Sequence, residues 1–329
     1  MRSATLTIAS LLATLAACSR TDAPKAAVPL PKVRVAFTPH LSWAPLMIAD
    51  AEGFFTDEGV AVEMVTGLRS EESLAALVTG DIDVRPGPIH AGFLSAIAQG
   101  AKVRIAAGQG NFTPDGCTYF AIVLRPGLAP TGAPKIERMR ASQDGAARYV
   151  ASRMLAPHGV DIHAVETLRI PEPVMAATLE RGSIDAVAVT EPALTRVAKV
   201  GTLWLKAQDV LPNFQWGVIT FGERLLYKDH DTGVRFANAY RRGVAQYLEG
   251  KTARNVAIIA KATGDTEAIT REACWPAFRA DSRIDWESIA EFQRWANTEG
   301  LMEHTLTRDQ VWDSTFVSAS ATRIQTRTP

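Results

Sequence analysis

At 329 residues, with 47% hydrophobic and 21% charged residues, the chain has the composition of an ordinary globular protein and the length for two lobes with separate cores. Lys plus Arg and Asp plus Glu each number 35, so the formal net charge is zero. A nucleic-acid binder ordinarily carries a basic excess, so this balance excludes that class and leaves a small-molecule or protein partner.

The N-terminus has the layout of an export signal. Arg2 precedes an apolar stretch at residues 4–17, too short to span a bilayer and suited to the core of a secretory signal. It ends in Leu15-Ala16-Ala17-Cys18, which resembles the bacterial lipobox, where a small residue before the cysteine admits the signal peptidase and the thiol is acylated. The alternative is an ordinary signal peptide with Cys18 incidental. Residues 1–17 are therefore expected to be a lipoprotein signal peptide, Cys18 the lipidated residue, and 18–31 a small, polar, Pro-punctuated tether unable to bury a core. No second segment is long enough to cross a bilayer, so attachment is expected through the lipid, in the periplasm or at the cell surface. An oxidising compartment permits a bridge between Cys117 and Cys274. A spacing this long carries no framework signal, however, and two buried free thiols are the alternative.

Downstream the pattern becomes regular. Residues 33–37 suit a buried strand, followed by a helix from about Ala44 with Pro45 in its first turn, where a missing N–H costs nothing. Strands at 60–65, 82–84 and 103–107 alternate with helices at 71–79 and 88–99, closed by Gly80 and Gly100. A second series has strands at 120–124, 136–140, 165–169 and 184–189, with helices at 144–155, 171–181 and 192–200. The charges of 136–140 suggest a sheet edge or a poorly buried position. Such alternation implies parallel pairing and right-handed crossovers. Residues 218–221 read as a strand returning to the first unit. Beyond it, 232–248, 252–262, 266–277, 286–298 and 308–318 read as amphipathic helices. The predicted division is 32–115 with 218–329 as lobe I, the helical tail packing on it, and 116–217 as lobe II.

Ala44-Pro45-Leu46-Met47-Ile48-Ala49, Glu52-Gly53-Phe54-Phe55 and Glu58-Gly59-Val60-Ala61-Val62 resemble the opening helix and second strand of one family. It is the nitrate/sulfonate/taurine and thiamine-pyrimidine-precursor group of ABC-transporter solute-binding proteins. Residues 77–84 (LVTGDIDV), 96–100 (AIAQG) with Val103, 179–190 (LERGSIDAVAVT) and Glu191-Pro192 continue the likeness, and 289–301 resembles the closing helix. The match is weaker over 135–160, where the family's lysine-glycine-lysine turn is missing. The resemblance implies an α/β, two-lobed type II periplasmic-binding fold that closes on solute by hinge rotation. The expected function is that of an extracytoplasmic solute-binding lipoprotein of an ABC importer, a monomer whose partners are the permease subunits and a small organic solute. No cofactor, metal or nucleic acid is expected.

In open parallel sheets ligands bind beyond the carboxyl ends of the strands. Candidate contacts are therefore Thr38, His40, Ser42 and Trp43 after the first strand, and Arg85, Pro86 and Gly87 after the third. Gln109, Gly110 and Asn111 follow the fourth. Ser142 and Gln143 cap a second-lobe helix, Thr190 and Glu191 end its last parallel strand, and Trp216 sits near the return crossing. Trp43 offers a stacking face, against the bland alternative of packing on its own helix. Arg85 suits a carboxylate, sulfonate or phosphate, against a salt bridge to Asp83 or Asp115. Glu191 could accept from an amine, or merely cap the helix that follows. Arg85 with Glu191 makes a zwitterion or an amino-substituted, pyrimidine-like heterocycle the first expectation, with a simple anion such as a sulfonate next.

No H-E-x-x-H, Cys/His cluster, P-loop, G-x-G-x-x-G or G-x-S-x-G occurs. Asp81 and Asp83 fit turn chemistry better than paired acid–base work. Pyrimidine-precursor enzymes on this fold depend on a cysteine-dense, iron-binding segment, which Cys117 and Cys274 do not make, so a non-enzyme is expected. A lipoprotein ligand sensor is the other rival.

Overall fold

The computed structural model describes residues 29–143 and 145–318; Cys18, the signal sequence and most of the expected tether lie outside the described residues. In chain order the strands are β1 Lys32–Ala36, β2 Ala61–Val65, β3 Val84–Pro88, β4 Arg104–Asn111, β5 Phe120–Leu124, β6 Arg138–Arg140, β7 Glu166–Leu168, β8 Ala186–Thr190, β9 Thr202–Lys206 and β10 Gln215–Phe221. The helices of the two α/β units are α1 Ala44–Ala51, α2 Phe54–Asp57, α3 Ser70–Thr79, α4 Ala91–Ala98, α5 Gly145–Leu155, α6 Glu172–Glu180, α7 Ala193–Val197 and α8 Ala207–Val210. The tail carries α9 His230–Tyr247, α10 Ala253–Thr263, α11 Glu267–Glu272, α12 Trp286–Thr298 and α13 Arg308–Val311.

Two five-stranded sheets result, ordered β2-β1-β3-β10-β4 and β7-β6-β8-β5-β9. β1 runs parallel to β2 and β3, and β6 parallel to β7 and β8, whereas β10 is antiparallel to β3 and β4 and β5 antiparallel to β8 and β9. The reversed strands have one cause. β5 and β10 each begin where the chain has just crossed from the other sheet, so they start at the end where the parallel strands finish and must run away from it. The carboxyl ends of both sets of parallel strands therefore face the crossings.

Several sequence expectations change. The third strand is residues 84–88, displaced from the expected 82–84, and it includes two prolines. Pro86 and Pro88 fall at alternate positions, so Arg85 and Gly87 carry the ladder to β10, while β1 pairs with β3 only at Val35–Val84 and needs no donor beyond it. β6 is internal and, of the two positions its charges allowed, poorly buried: Arg138 is exposed, and Arg140 turns to donate to the Ala188 carbonyl at 2.8 Å. β9 was not expected at all; it is an edge strand, and its half-exposed Thr-Leu-Trp-Leu-Lys lacks a buried face to read.

The tail is more than a cap on the first sheet. α9 packs on α1 so closely that a Cβ at Gly243 would lie 2.1 Å from the Pro45 carbonyl oxygen, and α10 packs on α1. α12, however, packs on α5 of the second unit, with Tyr149 set 5.8 Å from Phe292 and 5.3 Å from Trp295, and Arg153 3.4 Å from Glu291. The tail therefore packs on the first unit and reaches the second as well. The expected helix at 266–277 also contracts to α11, because the chain after it turns to run along β4: Asn111 N–H donates to Ala277 O and Gly108 N–H to Ser282 O, both at 2.8 Å.

Cys117 and Cys274 form a disulfide, which joins the first crossing to this tail segment. Sequence spacing could not show it, because only the fold of the tail against β4 brings residues this far apart together.

Candidate functional site

A cavity of about 280 Å³ lies between the two units at the carboxyl ends of β1, β3 and β8. The turn after β1 contributes Thr38, His40, Ser42 and Trp43, and the second unit contributes Ser142, Gly145 and Thr190. Tyr119 enters from the first crossing, Trp216 from the start of β10, Arg85 from β3, and Ser70 and Ser73 from the first turn of α3.

Arg85 dominates its chemistry. The side chain is 5% exposed, its Nε donates to Ser73 Oγ and one Nη to Ser70 Oγ, both at 3.0 Å. Among the described residues no carboxylate lies within ion-pair distance. Asp83, the counter-ion considered from sequence, instead accepts from Arg34 N–H at 2.8 Å and from Arg224 Nε at 2.9 Å. Burial lowers the Arg85 pKa to about 10, with Glu71 pulling the other way, so the guanidinium stays charged at neutral pH. A buried cation with two neutral partners is costly unless an anion joins it.

The surrounding groups are held in place. Gln109, expected to touch solute, is buried beneath the turn and donates from Nε2 to the Ser42 carbonyl at 3.0 Å, which orients Trp43. The Trp43 ring meets Phe37 edge-on at 5.6 Å. Trp216 packs against Phe112, Tyr119 and Phe120 at 5.7, 6.1 and 5.6 Å. Burial pushes the Tyr119 hydroxyl up to about 12, against the opposing pull of the Ser42 and Thr190 hydroxyls, so it remains a donor. Burial also lowers the His40 pKa; Glu172 opposes this and Arg140 adds to it.

The start of α5 closes on the first unit. Ala146 N–H donates across the cleft to Ile89 O at 2.9 Å. Gly145 has φ 64° and stands so near His90 that a Cβ would lie 3.2 Å from its ring, so both the backbone and the space call for glycine.

Of the residues singled out from sequence, Thr38, His40, Ser42, Trp43, Arg85, Ser142, Thr190 and Trp216 line this one cavity. The others do not. Pro86 and Gly87 are strand positions facing the β10 ladder. Gly110 and Asn111 tie β4 to β10 and the tail: Gly110 O accepts from Gln215 Nε2 at 3.0 Å, and Asn111 pairs with Ala277. Gln143 is exposed, accepts from Arg169 Nε at 3.1 Å, and points away. Glu191 is the largest correction. Its carboxylate accepts from Thr195 N–H and Thr195 Oγ1 at 2.9 Å and from Cys274 N–H at 3.2 Å, so it caps α7 and lines a separate hollow beside the disulfide. Three donors on the far side fix its orientation. Ser70, Ser73, His90 and Tyr119 went unread. A Ser-x-x-Ser pair in a helix's first turn is a faint signal for the first two, and Tyr119 had none.

Residues 135–262 match the model of the NMT1-like family. The chain is 25% identical over 262 residues to the putative binding protein YtlA of Bacillus subtilis, covering 75% of this chain and 73% of that protein. The periplasmic nitrate-binding protein NrtA of Synechocystis PCC 6803 superposes with a TM-score of 0.71 at 14% identity, over 90% of this chain and 89% of that one. The desulfurization enzyme DSZB superposes with a TM-score of 0.65 at 14% identity, over 89% and 99%. The resemblance read from sequence and these matches agree: the chain has the α/β two-lobed fold of the periplasmic solute-binding proteins, with an NMT1-like segment at residues 135–262.

Proposed function

We propose that the protein is the solute-capturing component of an ABC-type importer, and that it holds a small organic anion between its two sheets. The observation that carries the reading is Arg85: a cation 5% exposed, partnered by two serine hydroxyls, in a cavity shared by both units. The likeness to a putative binding protein and to a nitrate-binding protein supports it. The fold alone would also suit an enzyme, as DSZB illustrates. The described lining holds neither a carboxylate nor a cysteine, which favours capture over carboxylate-based or thiol chemistry.

Calorimetric titration of the purified soluble chain with organic anions tests the proposal. Arg85→Ala should weaken binding by roughly 2–5 kcal/mol, as for other buried charge pairs. Unchanged affinity in that variant would overturn the site. Anchoring through Cys18 belongs to the same proposal. Cys18→Ala should move the protein out of the membrane fraction, and unchanged fractionation would remove the anchor while leaving the cleft intact.

A further inference from the structure

Among the described lining residues Arg85 is the fixed charge, His40 and His90 are the other titratable side chains, and Trp43, Tyr119 and Trp216 make the wall ring-rich. Arg85 is the one arginine or lysine among the described lining residues, and none of them is aspartate or glutamate. Among the described lining residues a second negative charge on a ligand would meet no further arginine or lysine, and an ammonium group would meet no carboxylate, so burying either is costly. Glu191, which would have received an amine, is turned away and occupied by Thr195 and Cys274.

The rest of the wall favours a flat body. Trp43, Tyr119 and Trp216 come from three separate chain segments and line the same space. Trp43 is fixed by Phe37 and by the Gln109–Ser42 bond, and Trp216 by Phe112, Tyr119 and Phe120. Rings already immobilised lose little entropy when a ligand arrives, and they present π faces and edges that a saturated body cannot use as well. A volume of about 280 Å³ lies at the small end for ligand pockets and suits one ring with its acid group. The hydroxyls of Ser42, Tyr119 and Thr190 leave a place for a neutral polar substituent.

We infer that the cleft takes a single-ring aromatic monoanion, a carboxylate or sulfonate, with its acid group on Arg85, Ser70 and Ser73, and selects against zwitterions and dianions. This rests on the anion-capture reading above. The test is a titration panel read by calorimetry and tryptophan fluorescence. Its members are benzoate, benzenesulfonate, cyclohexanecarboxylate, terephthalate and para-aminomethylbenzoate. Benzoate or benzenesulfonate should bind about threefold to tenfold tighter than cyclohexanecarboxylate. Terephthalate and the aminomethyl compound should bind at least about tenfold more weakly than benzoate. Trp43→Leu, which keeps apolar volume without the flat face, should erase the preference for the aromatic ring while leaving anion binding measurable; Trp43→Ala serves as a second variant. If cyclohexanecarboxylate binds as well as benzoate, or the zwitterion or dianion binds as tightly, the inference fails and anion capture stands. If no member of the panel binds but an acyclic organic anion does, the inference fails alone; if no organic anion binds, both fall.

Discussion

Arg85 illustrates a residue placed for binding at the expense of stability. Its guanidinium is desolvated and meets two hydroxyls, so its removal should relieve an uncompensated buried charge. Arg85→Met, which keeps much of the side-chain volume, should therefore leave the unliganded melting temperature unchanged or raise it, while abolishing the shift produced by an anion. A large loss of unliganded stability would show that Arg85 is a structural pillar. His40 permits a pH prediction. Its pKa in the folded state lies below the ordinary histidine value of about 6.5, chiefly through burial. The unfolded chain then takes up its proton at a higher pH than the folded one, so stability is full above about 6.5 and falls as pH drops towards the folded pKa. Chemical denaturation between pH 7.5 and 5.5 should show a loss that is smaller in His40→Asn; identical pH slopes would remove the assignment.

At the scale of elements, the crossing between β4 and β5 is shortened by chemistry that strand prediction does not see. Residues 112–119 separate the two strands, yet Cys117 is bonded to Cys274, whose neighbours run along β4. The first crossing is thereby anchored to the first sheet almost to its end, with Thr118 and Tyr119 between the bridge and β5. Cys117→Ser with Cys274→Ser should cost about 2–5 kcal/mol of stability by releasing a long loop in the unfolded chain. It should also raise hydrogen exchange across residues 112–119 of the native protein. Exchange there unaffected by the double substitution would mean that the bridge does not set the hinge. Gly145 is a second element-scale test. An alanine there meets both the left-handed backbone and the His90 ring, so Gly145→Ala should strain the start of α5 by about 1–3 kcal/mol. Because Ala146 N–H bonds across the cleft, that strain should appear as weakened anion binding, measured by titration.

At the scale of the whole molecule, the two sheets are tied from opposite sides. α12 holds α5 through Tyr149, Phe292 and Trp295, and His163 meets Glu299 at 2.9 Å. On the other side Lys199 pairs with Glu272 at 3.1 Å and Arg196 with Asp265 at 3.2 Å. The ion pairs are substantially exposed and individually worth little, so the aromatic contact and the ligand must supply most of the closing force. Addition of a bound anion should therefore reduce the radius of gyration in solution scattering, and Phe292→Ala should enlarge the unliganded form. No change with ligand would argue for a rigid cleft.

The sequence by itself determined most of what local periodicity encodes. The alternation of strand and helix and the glycine stops were legible because each depends on neighbours within a few residues, whereas Arg85, expected beyond the third strand, is its second residue. Tertiary structure decided what depends on partners distant in the chain. Glu191 reads the same as a ligand contact or a helix cap until Thr195 and the distant Cys274 N–H claim its oxygens. Gln109 becomes a prop because Ser42 lies above it, and Cys117 finds Cys274 only once the tail is laid along β4. β9 escaped notice because an edge strand buries too little of either face to impose a pattern. Spacing along the chain specifies which face of an element a side chain occupies; which group waits opposite that face is set by packing alone.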